Sequence, residues 1–280
     1  MAPGQPILYT DLDGTFLDAK TYSWETSLPA LRKALECGMP VVFCSSKTGA
    51  EMYALLSGLG FSQPFIAENG GGIFIPQGYF GPPPRDSSPE GRWHVISLGT
   101  PYSDLVVALR DVRSQLGLDL RGFSDMSQEE VARLCDFSAE EARLATRRKF
   151  DEPFVAENDV ESFAAAFRAR GLQVTRGGRF FHLMGPHDKG IAVRRLNELY
   201  RGRHASIVTA GLGDSANDLP MLQAVDRPYL VQKPDGRHDP FIYSRLPEVF
   251  LVPRIGPAGW AMAVTRFLQE FGGGRPGIRR

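Results

Sequence analysis

A chain of 280 residues with 42% hydrophobic content is long enough for one large domain or two, and can bury a substantial core. Its 32 basic and 32 acidic residues cancel, leaving no global field that would favour nucleic acid or a membrane surface. No apolar run reaches about 18 residues, and no basic segment leads into an apolar one at the N-terminus. Cys37, Cys44 and Cys135 form no close pair or metal-like group. A cytoplasmic protein with reduced thiols is expected.

The elements alternate from the start. Ile7 to Thr10 reads as a buried strand, Ser27 to Cys37 as a helix, Pro40 to Cys44 as a second strand, Ser46 to Gly58 as a helix and Phe65 to Ala67 as a strand. This order predicts an α/β fold with a Rossmann-like parallel sheet flanked by helices. Ligands of such sheets sit beyond the carboxyl ends of the strands, where Asp11 and Ser45 fall. Gly81-Pro82-Pro83-Pro84 and the polar stretch after it break the alternation and mark the exit into an inserted α/β cap, placed at 85–184. Within the insert, Trp93 to Leu98 reads as a strand and Tyr102 to Leu116 as a helix. Ser127 and Ser138 stand where helix N-caps stand, each followed three residues later by Glu. Glu161 to Arg170 is a further helix, and Leu172 to Thr175 pairs with Phe180 to Met184 across a glycine turn.

Alternation then resumes. Gly190 to Tyr200 is a helix preceded by Lys189, Ala205 to Ala210 a strand ending at Gly211, and Asn217 to Ala224 a short helix. Tyr229 to Gln232 and Val249 to Val252 are strands, and Pro257 to Phe271 the last helix. The catalytic core is therefore expected to be split, 1–84 and 185–280, with the glycine-rich 272–280 a loose tail.

Chemistry concentrates in two acidic segments. Asp11-Leu12-Asp13-Gly14-Thr15 follows the first strand, and two carboxylates at the end of a buried strand are costly unless a cation or substrate uses them. Gly14 permits the turn that brings both toward one site. A phosphoryl transfer through an aspartyl-phosphate needs such a set: a nucleophilic carboxylate, an acid or base, and a divalent metal. Taken alone, the segment also suits a helix-capping turn. Gly211-Leu212-Gly213-Asp214-Ser215-Ala216-Asn217-Asp218 supplies the second cluster. If a helix begins within it, Asp214 and Asp218 face one cavity. A capped loop is the plain alternative here, as a solvated helix start is for Lys189.

Asp11 to Thr15, Ser45, Lys189 and Gly213 to Asp218 resemble, in order, the four motifs of haloacid dehalogenase-like phosphatases. The resemblance implies that Asp11 attacks phosphorus while Asp13 protonates the leaving oxygen and then activates water. Ser45 and Lys189 would hold phosphate oxygens. Mg2+ would be bound by Asp11, the Asp13 carbonyl and Asp214, with Asp218 orienting a metal water or ligating directly.

Cys44 to Thr48, Glu68 to Gly71, Arg148 to Phe154 and Gly178 to Leu183 resemble mannosyl-3-phosphoglycerate phosphatases more closely than generic sugar phosphatases. Many of the broader relatives carry Thr-Gly-Arg where this chain has Ser45-Ser46-Lys47. The closer resemblance implies hydrolysis of mannosyl-3-phosphoglycerate to mannosylglycerate and phosphate, within compatible-solute synthesis. Such a substrate, a phosphorylated glycoside of glycerate, asks for cations and for polar groups. Lys47, Arg148, Lys149 and Arg179 are the cationic candidates. Glu68, Asn69, Gly70, Asp151, Glu152, His182 and Asn217 are the polar ones. An exposed basic fringe at 147–149 and a fold-stabilising His182 are the bland alternatives. No nucleic acid, membrane or obligatory protein partner is expected. Other readings are a phosphatase for another phosphorylated sugar or glycerate, a phosphomutase, and a noncatalytic phosphate-binding module.

Overall fold

The computed structural model describes residues 4–157, 159–177 and 180–271. The chain begins with β1 (Gln5–Thr10), α1 (Leu28–Glu36), β2 (Val41–Cys44), α2 (Gly49–Gly58), β3 (Phe65–Ala67), β4 (Gly72–Pro76), β5 (Ser87–Glu90) and β6 (Trp93–Ser97). The middle comprises α3 (Tyr102–Leu116), β7 (Leu120–Gly122), α4 (Gln128–Cys135), α5 (Ala139–Ala145), β8 (Asp151–Ala156), α6 (Glu161–Arg168), β9 (Gln173–Gly177) and β10 (Phe180–Met184). It ends with α7 (Lys189–Arg201), β11 (Ile207–Gly213), α8 (Leu219–Gln223), β12 (Arg227–Gln232), α9 (Pro240–Arg245), β13 (Phe250–Ile255) and α10 (Gly256–Phe271).

Among the described residues the strands form two sheets, ordered β13-β12-β11-β1-β2-β3-β4-β6-β5 and β7-β8-β10-β9. From β13 to β3 the large sheet is parallel; β4, β6 and β5 extend it antiparallel. Burial on both faces explains the continuous apolar run of β1. Leu8 packs on one side with Phe43, Phe65 and Trp260; Ile7 and Tyr9 pack on the other with Val193, Leu196 and Leu222. The small sheet is antiparallel and carries its own core, in which Leu105, Leu109, Phe163 and Phe167 cover Phe154 and Leu183. Ser127 and Ser138 cap α4 and α5 as expected, with Glu130 and Glu141 closing each box.

Two expectations change. Strand β6, placed in the insert by the proline-rich break, pairs with β4, and β5 pairs with β6, so both belong to the large sheet. The 84/85 boundary is therefore not a sheet boundary; the proline run lies in the connection from β4 to β5, which flank β6 on either side. Strands β4, β5, β7 and β8 and helix α9 were not anticipated. Asp151–Ala156 carries two acids and a proline, and reads as a polar motif rather than a strand. Arg179, with its neighbour Gly178, lies outside the described residues. No helix among the described residues is long and apolar enough to cross a membrane.

Strand β1 sits between β2 and β11, which the chain reaches in opposite directions along the sheet. The carboxyl ends of β1 and β11 thus border the crevice at the switch point of the topology.

Candidate active site

Strand β1 ends by delivering Asp11 to that crevice. The Asp11 N–H donates to the Leu212 carbonyl at 2.9 Å, extending the β1–β11 ladder by one rung. Thr10 Oγ1 donates to the Asp11 carbonyl and accepts from Trp260 Nε1, both at 2.8 Å, so the strand end is held from below. Gly14 then turns the chain at φ +79°. A Cβ there would lie 3.0 Å from Asp214 Oδ2; the glycine lets the two acidic loops approach.

Lys189 joins the loops. Its Nζ donates at 2.7 Å to Asp11 Oδ1 and at 2.7 Å to Asp218 Oδ1, and its side chain is fully buried. Asp188 positions it: as N-cap of α7 it accepts the Ile191 N–H at 2.7 Å, which fixes the helix start that carries Lys189. The other oxygen of Asp218 accepts the Asp214 and Ser215 N–H groups at 3.0 and 3.1 Å. Asp218 thus braces both Lys189 and the Asp214 loop, and its carboxylate stays close enough to Asp11 and Asp214 to join a metal site.

The charges conflict. Burial pushes the Asp11 carboxyl well up, Asp218 adds to this, and Lys189 opposes it. Burial and Asp218 bring Asp214 to about 7. Burial also opposes the Lys189 charge, but Asp11 and Asp218 outweigh it and hold the ammonium protonated. One ammonium cannot neutralise three crowded carboxylates. Oxygens of Asp11, Asp214 and Asp218 lie within 4.8 Å of one another, and Asp214 Oδ1 is buried without a hydrogen-bond partner. A buried, unpartnered carboxylate oxygen in an excess of negative charge fits a hard divalent cation.

Ser45 caps β2 on the adjacent side. It is fully buried, its N–H donates to the Ile66 carbonyl at 3.0 Å, and its Oγ accepts the Lys47 N–H at 3.2 Å, which leaves its proton to donate. Lys47 Nζ lies 3.0 Å from Asp13 Oδ1.

The remaining expected residues largely form the seam between the two sheets. Glu68 is fully buried and accepts N–H groups of Lys149 (2.9 Å) and Phe150 (2.7 Å) at the entrance to β8. Burial pushes its carboxyl up to about 7, against Arg148 and these backbone donors. Arg148 donates to the carbonyls of Ser46 (2.8 Å) and Ala145 (3.0 Å). Asp151 accepts from His182 Nδ1 at 2.9 Å and Asn69 Nδ2 at 3.2 Å. Burial opposes its charge, yet His182 and Arg148 hold it below the ordinary value. Asn217 Nδ2 reaches Asn69 Oδ1 at 3.4 Å.

Several of the expected residues have partners within the protein. Glu68, Arg148 and Asp151 are spent on one another's loops, because buried charges require such partners. Glu152 shares the β8 face of Phe154 and turns into the small sheet's helix layer, where Oε1 accepts the Ser124 N–H at 3.0 Å. The Lys149 ammonium pairs with Glu90 instead of facing Asp11. Gly70 is a packing glycine: at φ +99° its Cβ would fall 2.1 Å from the Asp188 carbonyl. His187 was missed. It is buried, and its Nε2 donates to the Glu68 carbonyl at 3.3 Å. Only its position two residues before Lys189 could have singled it out.

Residues 8–79 match the haloacid dehalogenase-like hydrolase family. A glucosyl-3-phosphoglycerate/mannosyl-3-phosphoglycerate phosphatase of Methanococcoides burtonii is 44% identical over 94% of this chain and 97% of its own. A Persephonella marina protein of the same description is 35% identical with the same coverage. The mannosyl-3-phosphoglycerate phosphatase of Pyrococcus furiosus is 32% identical over 83% of this chain and 93% of its own. In fold, the chain matches a Thermoplasma acidophilum protein at TM-score 0.66 and 20% identity, covering 95% and 97% of the two chains. It also matches a haloalkanoate-superfamily phosphatase of Bacteroides thetaiotaomicron at 0.66 and 17%, covering 94% of each. With both acidic loops, Ser45 and Lys189 converging at the end of β1, and with 44% identity across nearly the whole length, the chain belongs to the haloacid dehalogenase-like hydrolases, in the family of the glucosyl- and mannosyl-3-phosphoglycerate phosphatases.

Proposed function

We propose that the protein is a Mg2+-dependent phosphatase that hydrolyses mannosyl-3-phosphoglycerate to mannosylglycerate and phosphate, in the cytoplasm, within compatible-solute synthesis. The observation that carries this reading is Lys189 bridging Asp11 and Asp218 beside the unpartnered oxygen of Asp214. A phosphate monoester is an anion, and an anionic nucleophile reaches it only where cations offset the repulsion.

In this reading Asp11 attacks phosphorus from its fixed position at the end of β1. Lys189 has three donors and spends two on Asp11 and Asp218, so the third is left for a phosphate oxygen. The Ser45 hydroxyl donates to a second. Asp13 gives its proton to the ester oxygen as phosphoaspartate forms, then takes one from water as it breaks. Asp11, Asp214 and the Asp13 carbonyl are the groups that would hold Mg2+, which supplies charge stabilisation to the transferring phosphoryl group. Asp218 keeps Lys189 and the Asp214 loop in place. The substrate-recognising insert is the segment from α3 to β10, following β6. Asn69, Asn217 and His182, the last held by Asp151, are the polar groups left for the glycosyl-glycerate portion.

The relatives at 44% and 35% identity are described as acting on both glucosyl and mannosyl esters, which favours acceptance of glucosyl-3-phosphoglycerate as well. The test is phosphate release from both esters and from matched sugar phosphates, with and without Mg2+, by the intact protein and by Asp11→Asn. Preference for the two glycosyl esters, lost in the variant, supports the reading. Turnover mainly of another ester overturns the substrate, and turnover undiminished in Asp11→Asn overturns the nucleophile.

A further inference from the structure

Lys47 was expected to meet the anionic substrate, but its ammonium is engaged elsewhere. It stands 3.0 Å from Asp13 Oδ1 and 5.4 Å from the centre of the Tyr22 ring, over its face. Its backbone is fixed at both ends, with its N–H on Ser45 Oγ at 3.2 Å and its carbonyl accepting the Glu68 N–H at 2.9 Å. The Asp13 side chain is 37% exposed as a whole, but Oδ1, the oxygen that faces Lys47, is buried and has no other hydrogen-bond partner among the described residues. The loop beyond Asp13 is also pinned here. Tyr22 adopts φ +55°, an uncommon conformation for a residue with a side chain, and its N–H donates to the Asp18 carbonyl at 2.9 Å.

We propose that Lys47 is a positioning residue for Asp13, holding its carboxyl in one orientation through both halves of the reaction, and is not the anchor of the substrate's glycerate anion. This rests on the reading of Asp13 as the proton carrier. In the first half the Asp11–P bond forms, the P–O ester bond breaks, and the Asp13 proton passes to the ester oxygen. In the second, the water oxygen bonds to phosphorus, the Asp11–P bond breaks, and the water proton passes to Asp13. Both transfers need the carboxyl at hydrogen-bond reach of the same oxygen position. An ammonium can donate to a carboxylate oxygen and also to the carbonyl oxygen of the protonated acid, so one tether serves both halves.

Leaving-group dependence tests this. An alkoxide must be protonated to depart, whereas p-nitrophenolate departs without a proton. In Lys47→Met, kcat on mannosyl-3-phosphoglycerate is expected to fall about 100-fold with KM within about threefold of the intact protein. First-turnover release of p-nitrophenolate from p-nitrophenyl phosphate should stay within about threefold, followed by slow steady-state hydrolysis, so that a burst appears. Lys47→Arg should recover at least about tenfold of the lost kcat. A KM raised about tenfold or more with kcat retained would make Lys47 a substrate anchor and overturn the proposal. Equal losses on the alkyl and aryl esters in the first turnover would overturn it too. If Lys47→Met does not fold, Lys47→Gln carries the same contrast. If the intact protein cleaves p-nitrophenyl phosphate but not mannosyl-3-phosphoglycerate, the substrate reading fails and the Lys47 contrast is measured with glycerol 3-phosphate as the alkyl ester.

Discussion

Replacing Glu68 by Gln isolates one ionisation at the seam between the two sheets. The carboxyl is fully buried and accepts the Lys149 and Phe150 N–H groups, so an amide oxygen can take over both bonds. Its unfolded value is near 4.5 and its folded value about 7. A rise of that size is worth about 3 kcal/mol between the protonation states. Because the folded value is raised, the folded state binds the proton more tightly than the unfolded one. The stabilisation is complete below pH 4.5 and is lost as pH climbs through about 7. Urea unfolding of the intact protein and Glu68→Gln, at intervals from about pH 4.5 to 8, should show their stability difference shifting by up to about 3 kcal/mol in favour of Gln as pH rises. The variant's buried NH2 adds an offset of about 1 kcal/mol, which does not vary with pH. Two parallel stability curves would refute the reasoning, since Glu68 would then ionise alike in both states. The loss should also be local: exchange of the Lys149 and Phe150 amides should quicken with pH beyond the intrinsic rate in the intact protein and not in the variant.

Lys189→Met removes the cation from two buried carboxylates. Stability measured by urea unfolding without metal should drop by about 3–5 kcal/mol, with turnover lost; a drop below about 1 kcal/mol would mean the carboxylates share protons instead. Asp214 stands at about 7 without metal, so Mg2+ must displace its proton as pH falls below that value. The apparent Mg2+ affinity, read as thermal stabilisation in titrations, should weaken toward tenfold per pH unit below 7, and a flat profile would exclude Asp214 as a ligand. Gly70→Ala would place a Cβ 2.1 Å from the Asp188 carbonyl at φ +99°. A loss of about 2–4 kcal/mol is expected with a fall in kcat, because the backbone that must yield carries Lys189.

The core was legible in the sequence because its signals are local. A strand buried on both faces must be continuously apolar, as Ile7 to Tyr9 and Val41 to Cys44 are, and a helix must cap its first N–H groups, as Ser127 and Ser138 do. Asp11 and Ser45 could be picked out because each stands at the end of a predicted strand, where this topology gathers its ligands, while Asp13, Lys189 and Asp214 took their roles from the resemblance to the haloacid dehalogenase-like motifs. The recognition residues could not be resolved this way. Glu68, Arg148, Asp151 and Glu152 have the polarity of ligand contacts, and only packing shows that three tie the loops together while the fourth turns inward. Strands β5 and β6 make the same point. Their residues suit either sheet, and the choice depends on β6 pairing with β4, a strand hidden among glycines, and on β5 pairing with β6. Lys47 is the clearest case. Charge and neighbourhood alone fit a substrate anchor, whereas its distance to Asp13, two loops away in the chain, is set by how β1 and β2 lie side by side. Local sequence determines where a strand ends and which chemistry stands there; which buried charges answer one another is decided by tertiary structure, because their pairing depends on distances between segments that no local pattern encodes.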